Sequence, residues 1–495
     1  MRDAGRVHIP PLLKRFFTQN VRGAINAQTD LRELRCIIEH PNEGHVMLPQ
    51  TQTSMWRRVA VLALPVALQM VLQSFLGMAD VLMVGGLGAE AVAAVGLAAK
   101  LHFLMLVTMM GVATACAILV AQYAGAEDAR GAERSLAMAL LVGVCFMLPF
   151  TAVFFSAGGW LGLINPDTQV VALTAEFLWI TAPVLLIAQI ITVFEAALRA
   201  IGNTLVPLAM GAVAALLNIL FNYILIFGHW GFPELGVAGA AWGTLLARVL
   251  QLLFTLAWLY AVKHEFAPKM KRWWREVTTP ELKRFLWFAL PLLVNHIVWA
   301  VGNCAYHVAS GFAGTDALAV MGVLVPIESL FFSLFVGLAN AASVMVGQSL
   351  GANRPDAAWQ LYRFFNRLTL ALVLAMSVVL WLARPWVLQA FAHIDPATSA
   401  LLYQTLAVFC LGVWVKVLNM LRILGILRAG GDTHYCLVVD VIVMWVFGVP
   451  LYMAGVFFTD WSFAALYALM YIEDALKWLP IRARVKRGVW VKNLT

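Results

Sequence analysis

Charge is scarce in this chain. Only 12% of its 495 residues are Asp, Glu, Lys or Arg, against about 25% in an ordinary soluble domain. With 62% hydrophobic residues and a mean hydropathy of +0.83, this excludes a water-soluble globule and indicates a polytopic membrane protein. Cysteine is sparse too. Cys36, Cys116, Cys145, Cys304, Cys410 and Cys436 are scattered without a C-x-x-C pair, which argues against a disulfide framework, a zinc site or a redox motif. No H-E-x-x-H and no paired-acid loop motif is present, so a membrane enzyme would lack an obvious catalytic constellation. No charged n-region leads directly into an apolar h-region, so no signal peptide is read.

Residues 1–54 are polar and mixed in charge. They are read as a cytoplasmic, disordered extension, and Met47 or Met55 would serve equally well as the start. Beyond them lie long apolar runs. A span needs about 20 apolar residues, and twelve candidates are found: 57–84, 92–122, 135–158, 168–198, 205–228, 237–262, 283–310, 318–349, 357–382, 397–427, 434–457 and 460–480. Basic residues fall in alternate loops: Arg130 and Arg134, Arg199, the cluster from Lys263 to Arg284, Arg354, Arg428, and a tail with Arg482, Arg484, Lys486, Arg487 and Lys492. Arg384 is the exception on the other side. The positive-inside rule then puts both termini in the cytoplasm. The net charge of +8 is read as this topology signal and not as a nucleic-acid surface.

The chain also repeats. ALPVALQM at 63–70 aligns with ALPLLVNH at 289–296, an offset of 226, and the match runs without a gap to Gly125-Ala126 and Gly351-Ala352. Of those 64 positions 17 are identical, including Pro65 with Pro291 and Gln122 with Gln348. Further on, LRAIGNT at 198–204 matches LRAGGDT at 427–433, an offset of 229. The expected fold is all-α: twelve transmembrane helices in two six-helix lobes related by pseudo-two-fold symmetry, with the substrate path between them. The expected divisions are 55–262 for the first lobe, 263–282 for a basic cytoplasmic linker, 283–480 for the second lobe and 481–495 for a basic cytoplasmic tail.

Asp80 interrupts the first apolar run in MADVLMVGG at 78–86. A carboxylate at bilayer depth is costly, by roughly 2.5–3.5 kcal/mol on insertion scales, and usually faces the protein interior. The fifth run is expected to place Asn218 and Asn222 at a comparable depth, four residues apart on one helix face. An acid with two amides can bind a proton or offer oxygens to a hard cation. The competing reading pairs Asp80 with Lys100 in the second run. His102 and Glu328 are equivalent in the repeat and are expected at matching depth, facing one cavity where the acid would attract cationic substrate. The bland reading of both is local hydrogen bonding. Lys416 or Arg422 is expected to pair with Asp440, and Glu195 with Arg199 as a helix-end pair. Pro65 should kink the first helix and serve as a conformational switch.

The stretches Pro65…Asp80…Met83-Val84-Gly85…Leu87-Gly88, VGLA at 95–98, VAQYAGA at 120–126, NILFNYILIFG at 218–228, VMVGQSLGA at 344–352 and GILRAGGDT at 425–433 resemble the multidrug and toxic compound extrusion (MATE) family, in its bacterial form. The likeness covers about 57–480. It implies a multi-pass protein of the bacterial cytoplasmic (inner) membrane, an antiporter that exports organic, often cationic, compounds against H+ or Na+. It implies an essential acid at Asp80, no organic cofactor, small-molecule substrates, lipid as surroundings, no nucleic acid and a monomer. Some members carry an aspartate where Asn222 stands and an acid in helix 7, where this chain has His296 and His307. The alternative cargo is a lipid-linked precursor, moved by a flippase of the same superfamily.

Overall fold

The computed structural model describes residues 52–269, 272–273, 277–390 and 395–495. The extension expected over 1–54 therefore lies outside the described residues except for its last three, which already belong to the first helix. The long helices, in chain order, are α1 (Gln52–Gly85), α2 (Ala89–Gly125), α3 (Ala129–Phe155), α4 (Thr168–Ala200), α5 (Leu205–Phe227), α6 (Gly236–Ala261), α7 (Thr279–Phe312), α8 (Thr315–Gly351) and α9 (Pro355–Ala390). They continue as α10 (Pro396–Leu427), α11 (Thr433–Phe458) and α12 (Phe463–Lys486). Among the described residues 11 helices, α1 to α11, are long and apolar enough to cross a membrane. The run read as the twelfth span falls short because α12 carries Glu473, Asp474 and Lys477 in its middle.

Local chemistry sets the ends. Asp128, Asp167, Asp395 and Ser462 accept first-turn backbone N–H groups of α3, α4, α10 and α12, satisfying donors that a helix start leaves free. Gly88 and Gly314, both at φ 114°, precede α2 and α8. Only glycine takes that backbone at low cost, and the two stand 226 residues apart.

Packing repeats as the sequence does. In the first half α1 packs on α5, α2 on α3 and α4, α3 on α4, α4 on α6, and α5 on α6. Each of these pairs recurs six helices later. The halves meet through α1 with α8, α2 with α7, and α2 with α8. Glycines set the distance there. A Cβ on Gly125 would lie 2.0 Å from the Gln348 carbonyl oxygen, and one on Gly351 would lie 1.8 Å from that of Gln122. Deeper in, a Cβ on Gly111 would strike the Leu293 backbone and one on Gly337 the Ala63 carbonyl.

Pro65 sits inside α1, which continues through it as one helix. Proline has no N–H to give the carbonyl four residues back. That carbonyl, Val61 O, instead accepts the Thr204 hydroxyl at 2.7 Å. Thr204 is the last residue of LRAIGNT, so this motif supplies the donor that α1 lacks. Such replacement is what lets a proline persist where no water can reach.

The basic end of the molecule is closed by side chains of both halves and by the C-terminal tail. Arg58 donates to Gln348 Oε1 at 2.6 Å, and Gln348 Nε2 donates to Ala200 O at 2.9 Å. Gln122 Nε2 donates to Ala429 O at 2.8 Å, and Gln122 Oε1 accepts the Leu494 N–H at 2.7 Å. Trp490 is fully buried, edge-on to Trp359, and Arg284 donates to Leu494 O. Residues 487–495 are thus packed against the helix bundle.

Candidate functional site

Asp80 lies in the last turns of α1, with Asn218 and Asn222 opposite it on α5 and Thr244 on α6. Asn222 Nδ2 donates to Asp80 Oδ1 at 2.8 Å and to Asn218 Oδ1 at 3.3 Å. Asn218 Nδ2 donates to Thr244 Oγ1 at 3.2 Å, and Thr244 donates to Ala240 O at 3.0 Å. Among the described residues Asn222 alone donates to the carboxylate, and its second N–H starts a chain that runs the other way, through Asn218 and Thr244 to the Ala240 carbonyl. The second carboxylate oxygen, Oδ2, receives no hydrogen bond from a described residue. α6 can approach α5 here because position 243 is glycine: a Cβ there would lie 2.1 Å from Asn222 Oδ1.

Asp80, Asn218 and Thr244 line a cavity of about 100 Å³, with Gln69, Gln73, Arg248 and Gln251 among its other walls. Gly211, Ala214 and Ala215 leave it room. One carboxylate and one guanidinium line it. Arg248 Nη1 donates to Gln251 Oε1 at 2.8 Å, and its charge acts on both Asp80 and Glu195. Below the cavity, Glu195 accepts from Gln69 at 2.9 Å, from Arg199 at 3.2 Å and from Gln251 at 3.2 Å. The ion pair of Glu195 with Arg199 is present, but it is a buried node and not a simple helix-end pair.

Sequence reasoning missed Gln69, Thr244, Arg248 and Gln251. A signal was available: Gln69, Gln73 and Asp80 fall on one face of α1, and Thr244, Arg248 and Gln251 fall on one face of α6, by the spacing of three, four or seven that joins helical neighbours.

Other expectations need correction. Lys100 is exposed on α2 and makes no ion pair among the described residues; the cation near Asp80 is Arg248. His102 and Glu328 each have a local hydrogen-bond partner. His102 bonds Ala98 O through Nδ1 at 3.0 Å and packs edge-on against Phe154 and Phe177, whereas Glu328 accepts the Tyr467 hydroxyl from α12. The bland reading holds for His102. Asp440 pairs with neither Lys416 nor Arg422. Lys477 reaches it at 3.0 Å and Glu473 at 2.7 Å, Asn295 donates to it at 2.8 Å, and Tyr306 donates to Glu473 at 2.5 Å. Arg422 bonds Asn366 and lies over Trp478, and Lys416 lies over Phe332. His296 and His307 each bond the carbonyl four residues back.

The chain holds one G-x-S-x-G string, GQSLG at 347–351. It is the end of α8, and buried Ser349 donates to Met345 O. That is not the strand-to-helix elbow a hydrolase nucleophile needs.

The comparisons agree with this architecture. The "Probable multidrug resistance protein NorM" of Agrobacterium fabrum is 28% identical over 406 residues, 80% of this chain and 86% of that protein. The "Multidrug resistance protein PmpM" of Pseudomonas aeruginosa is 26% identical over 415 residues, 82% of this chain and 84% of that protein. Among solved structures, an outward-facing multidrug resistance MATE family transporter superposes with a TM-score of 0.78 at 20% identity, covering 87% of this chain and 96% of that one. A mutant of the Vibrio cholerae MATE transporter VcmN gives 0.79 at 16%, covering 89% and 99%; at such identities the likeness is one of fold. The MatE family model matches residues 65–224 and 291–453, one segment in each half, and the chain therefore belongs to the MatE family.

Proposed function

We infer that this protein exports organic, often cationic, compounds and takes up H+ or Na+ at Asp80 in return. The carrying observation is a single carboxylate held by Asn222, with Asn218 and Thr244 behind it, in a cavity among helices apolar enough to span a membrane. Relatives described as multidrug resistance proteins support the cargo class. A flippase for lipid-linked precursors is less well served, because one guanidinium in the cavity gives no strongly basic surface for a diphosphate. Membership of a family of multidrug resistance transporters supports a role in transport and not in catalysis.

The halves 55–262 and 283–480 act as two lobes about a pseudo-two-fold axis, with 263–282 as linker and both termini cytoplasmic. The recurring helix pairs and the reciprocal Gly125 and Gly351 contacts support this reading. The basic end is then the cytoplasmic gate, closed, in a monomer of the bacterial inner membrane. Pro65 is the bend in α1, near the Thr204 contact. Glu328 contributes to cation binding on the second lobe, with Tyr467 orienting it.

Binding of a cation at Asp80 and of substrate in the path must exclude one another for antiport. Each then shifts the same equilibrium in opposite directions, by its differential affinity for the two states. The test is uptake of ethidium or norfloxacin into vesicles, with proton and sodium gradients collapsed separately. Asp80→Asn should fold and abolish gradient-driven transport, and Asn222→Ala should weaken coupling more mildly. Normal pumping by Asp80→Asn would end the proposal.

A further inference from the structure

We propose that Arg248 makes the Asp80 site selective for the proton and blind to sodium; this rests on Asp80 being the coupling carboxylate. Four observations converge. Arg248 and Asp80 line the same cavity, and no other charged side chain does so among the described residues. Arg248 is held by Gln251 at 2.8 Å, which fixes its charge there. It makes no ion pair among the described residues, although it lies within electrostatic reach of Asp80 and Glu195. Its counterpart 229 residues on, the offset of LRAIGNT and LRAGGDT, is Lys477. That ammonium is neutralised directly by Asp440 at 3.0 Å and Glu473 at 2.7 Å. Each half thus carries a fixed cation at this corner, but only the first leaves it without a direct carboxylate contact, on the wall of a cavity lined by one carboxylate.

The charged and titratable groups about Asp80 come from several helices. Arg248 is on α6, Glu195 and Arg199 are on α4, and His102 is on α2. Lys100 on α2 is exposed, α5 presents the amides of Asn218 and Asn222, and Glu328 on α8 is bonded to Tyr467.

With Asp80 ionised, the cavity carries one negative and one positive charge. It has no net attraction for another cation. The Coulomb penalty from Arg248 is the same for H+ and Na+, and what offsets it is not. A proton forms a covalent O–H bond on one carboxylate oxygen and needs no shell. A hard metal cation needs several oxygen ligands. Here Gln251 Oε1 is taken by Arg248 and Asn218 Oδ1 by Asn222. Protonation also leaves the guanidinium uncompensated, so the cavity turns from neutral to positive and repels an organic cation. Arg248 thereby converts proton binding into substrate release.

The test uses the full chain, purified in detergent and also reconstituted in liposomes. Thermal stability is followed as NaCl replaces choline chloride at constant ionic strength and pH. The wild-type protein should be indifferent to sodium, and ethidium export should follow the proton gradient alone. Arg248→Gln should gain sodium affinity by about tenfold to a hundredfold, as expected for removing a unit charge several Å away at an effective dielectric near 20. Arg248→Lys keeps the charge and should stay indifferent. Sodium stabilisation of the wild type, or a folded Arg248→Gln that remains indifferent, would overturn the inference. Should Arg248→Gln not fold, Arg248→Met, which also removes the charge, takes its place with the same two outcomes. Asp80→Asn separates the two claims: if it exports normally, the coupling role of Asp80 has failed; if it is inactive while the wild type responds to sodium, only the role of Arg248 has failed.

Discussion

Gly125→Ala tests how the two halves are held at the basic end, which we assign to the cytoplasm. The added Cβ would stand 2.0 Å from Gln348 O, whereas ordinary contact begins at 3.4 Å. α2 and α8 must therefore part by about 1.4 Å at this point, because the atom met is backbone and cannot rotate away. Overpacking of this kind typically costs about 1–3 kcal/mol. The closed arrangement should then lose a factor of roughly 5 to 150 in population against any state in which these ends separate. The hydrogen bonds of Gln122 to Ala429 and Leu494, and of Gln348 to Arg58 and Ala200, should loosen with it. Spin labels at the exposed repeat-equivalent positions Arg130 and Asp356 report the separation by double electron–electron resonance. A longer-distance population should grow in Gly125→Ala. Gly96→Ala, on the same helix with nothing within 4 Å of the new Cβ, is the control and should leave the distances alone. A folded Gly125→Ala with an unchanged distance distribution would refute the steric reasoning.

Four further outcomes are expected. Thr204→Val keeps the shape but removes the donor to Val61 O, and should cost about 1–3 kcal/mol for a buried unsatisfied carbonyl, read as a lower melting temperature in detergent; no change would mean another donor takes over. Lys477→Met strips the counter-charge from Asp440 and Glu473, and should cost about 3–5 kcal/mol or prevent folding, whereas loss of transport in a stable variant would point to a working role for the cluster. Burial, and secondarily Lys269, push the His264 imidazole, which accepts the Phe266 N–H, down to about 4; the unfolded chain binds more protons between that value and its ordinary pKa of about 6.5, so stability is full above that pKa and falls as pH drops toward 4. His264→Asn should flatten that decline in a thermal-melt series, and an unaltered profile would locate the pH dependence elsewhere. Removing residues 490–495 deletes Trp490 and the Leu494 contacts, and should raise cysteine labelling at the basic end without weakening substrate binding from the opposite side.

Reading alone reached far along this chain because the bilayer imposes one-dimensional rules. Apolar length marked the helices, and the offset of 226 marked two related sets whose helix pairs recur. Asp80 with Asn218 and Asn222 was legible because an acid and two amides are conspicuous in apolar runs and the amides are four apart. Which partners meet across helices was not. Lys100 and Arg248 were both cations in apolar runs near Asp80 in depth; rotation of α2 left one exposed, and Gly243 let α6 close on α5 and bring in the other. Asp440 found Lys477, 37 residues away, in preference to Lys416 or Arg422, because α11 and α12 lie side by side. The Thr204 bond to Val61, which makes Pro65 tolerable, joins residues 143 apart. Sequence by itself determined which segments are helices, that they come as two related sets, and that a carboxylate sits among them, since each follows from composition and period along one chain. Only the tertiary structure decided which charge answers that carboxylate, because the rotation of each helix about its axis is fixed by packing against its neighbours.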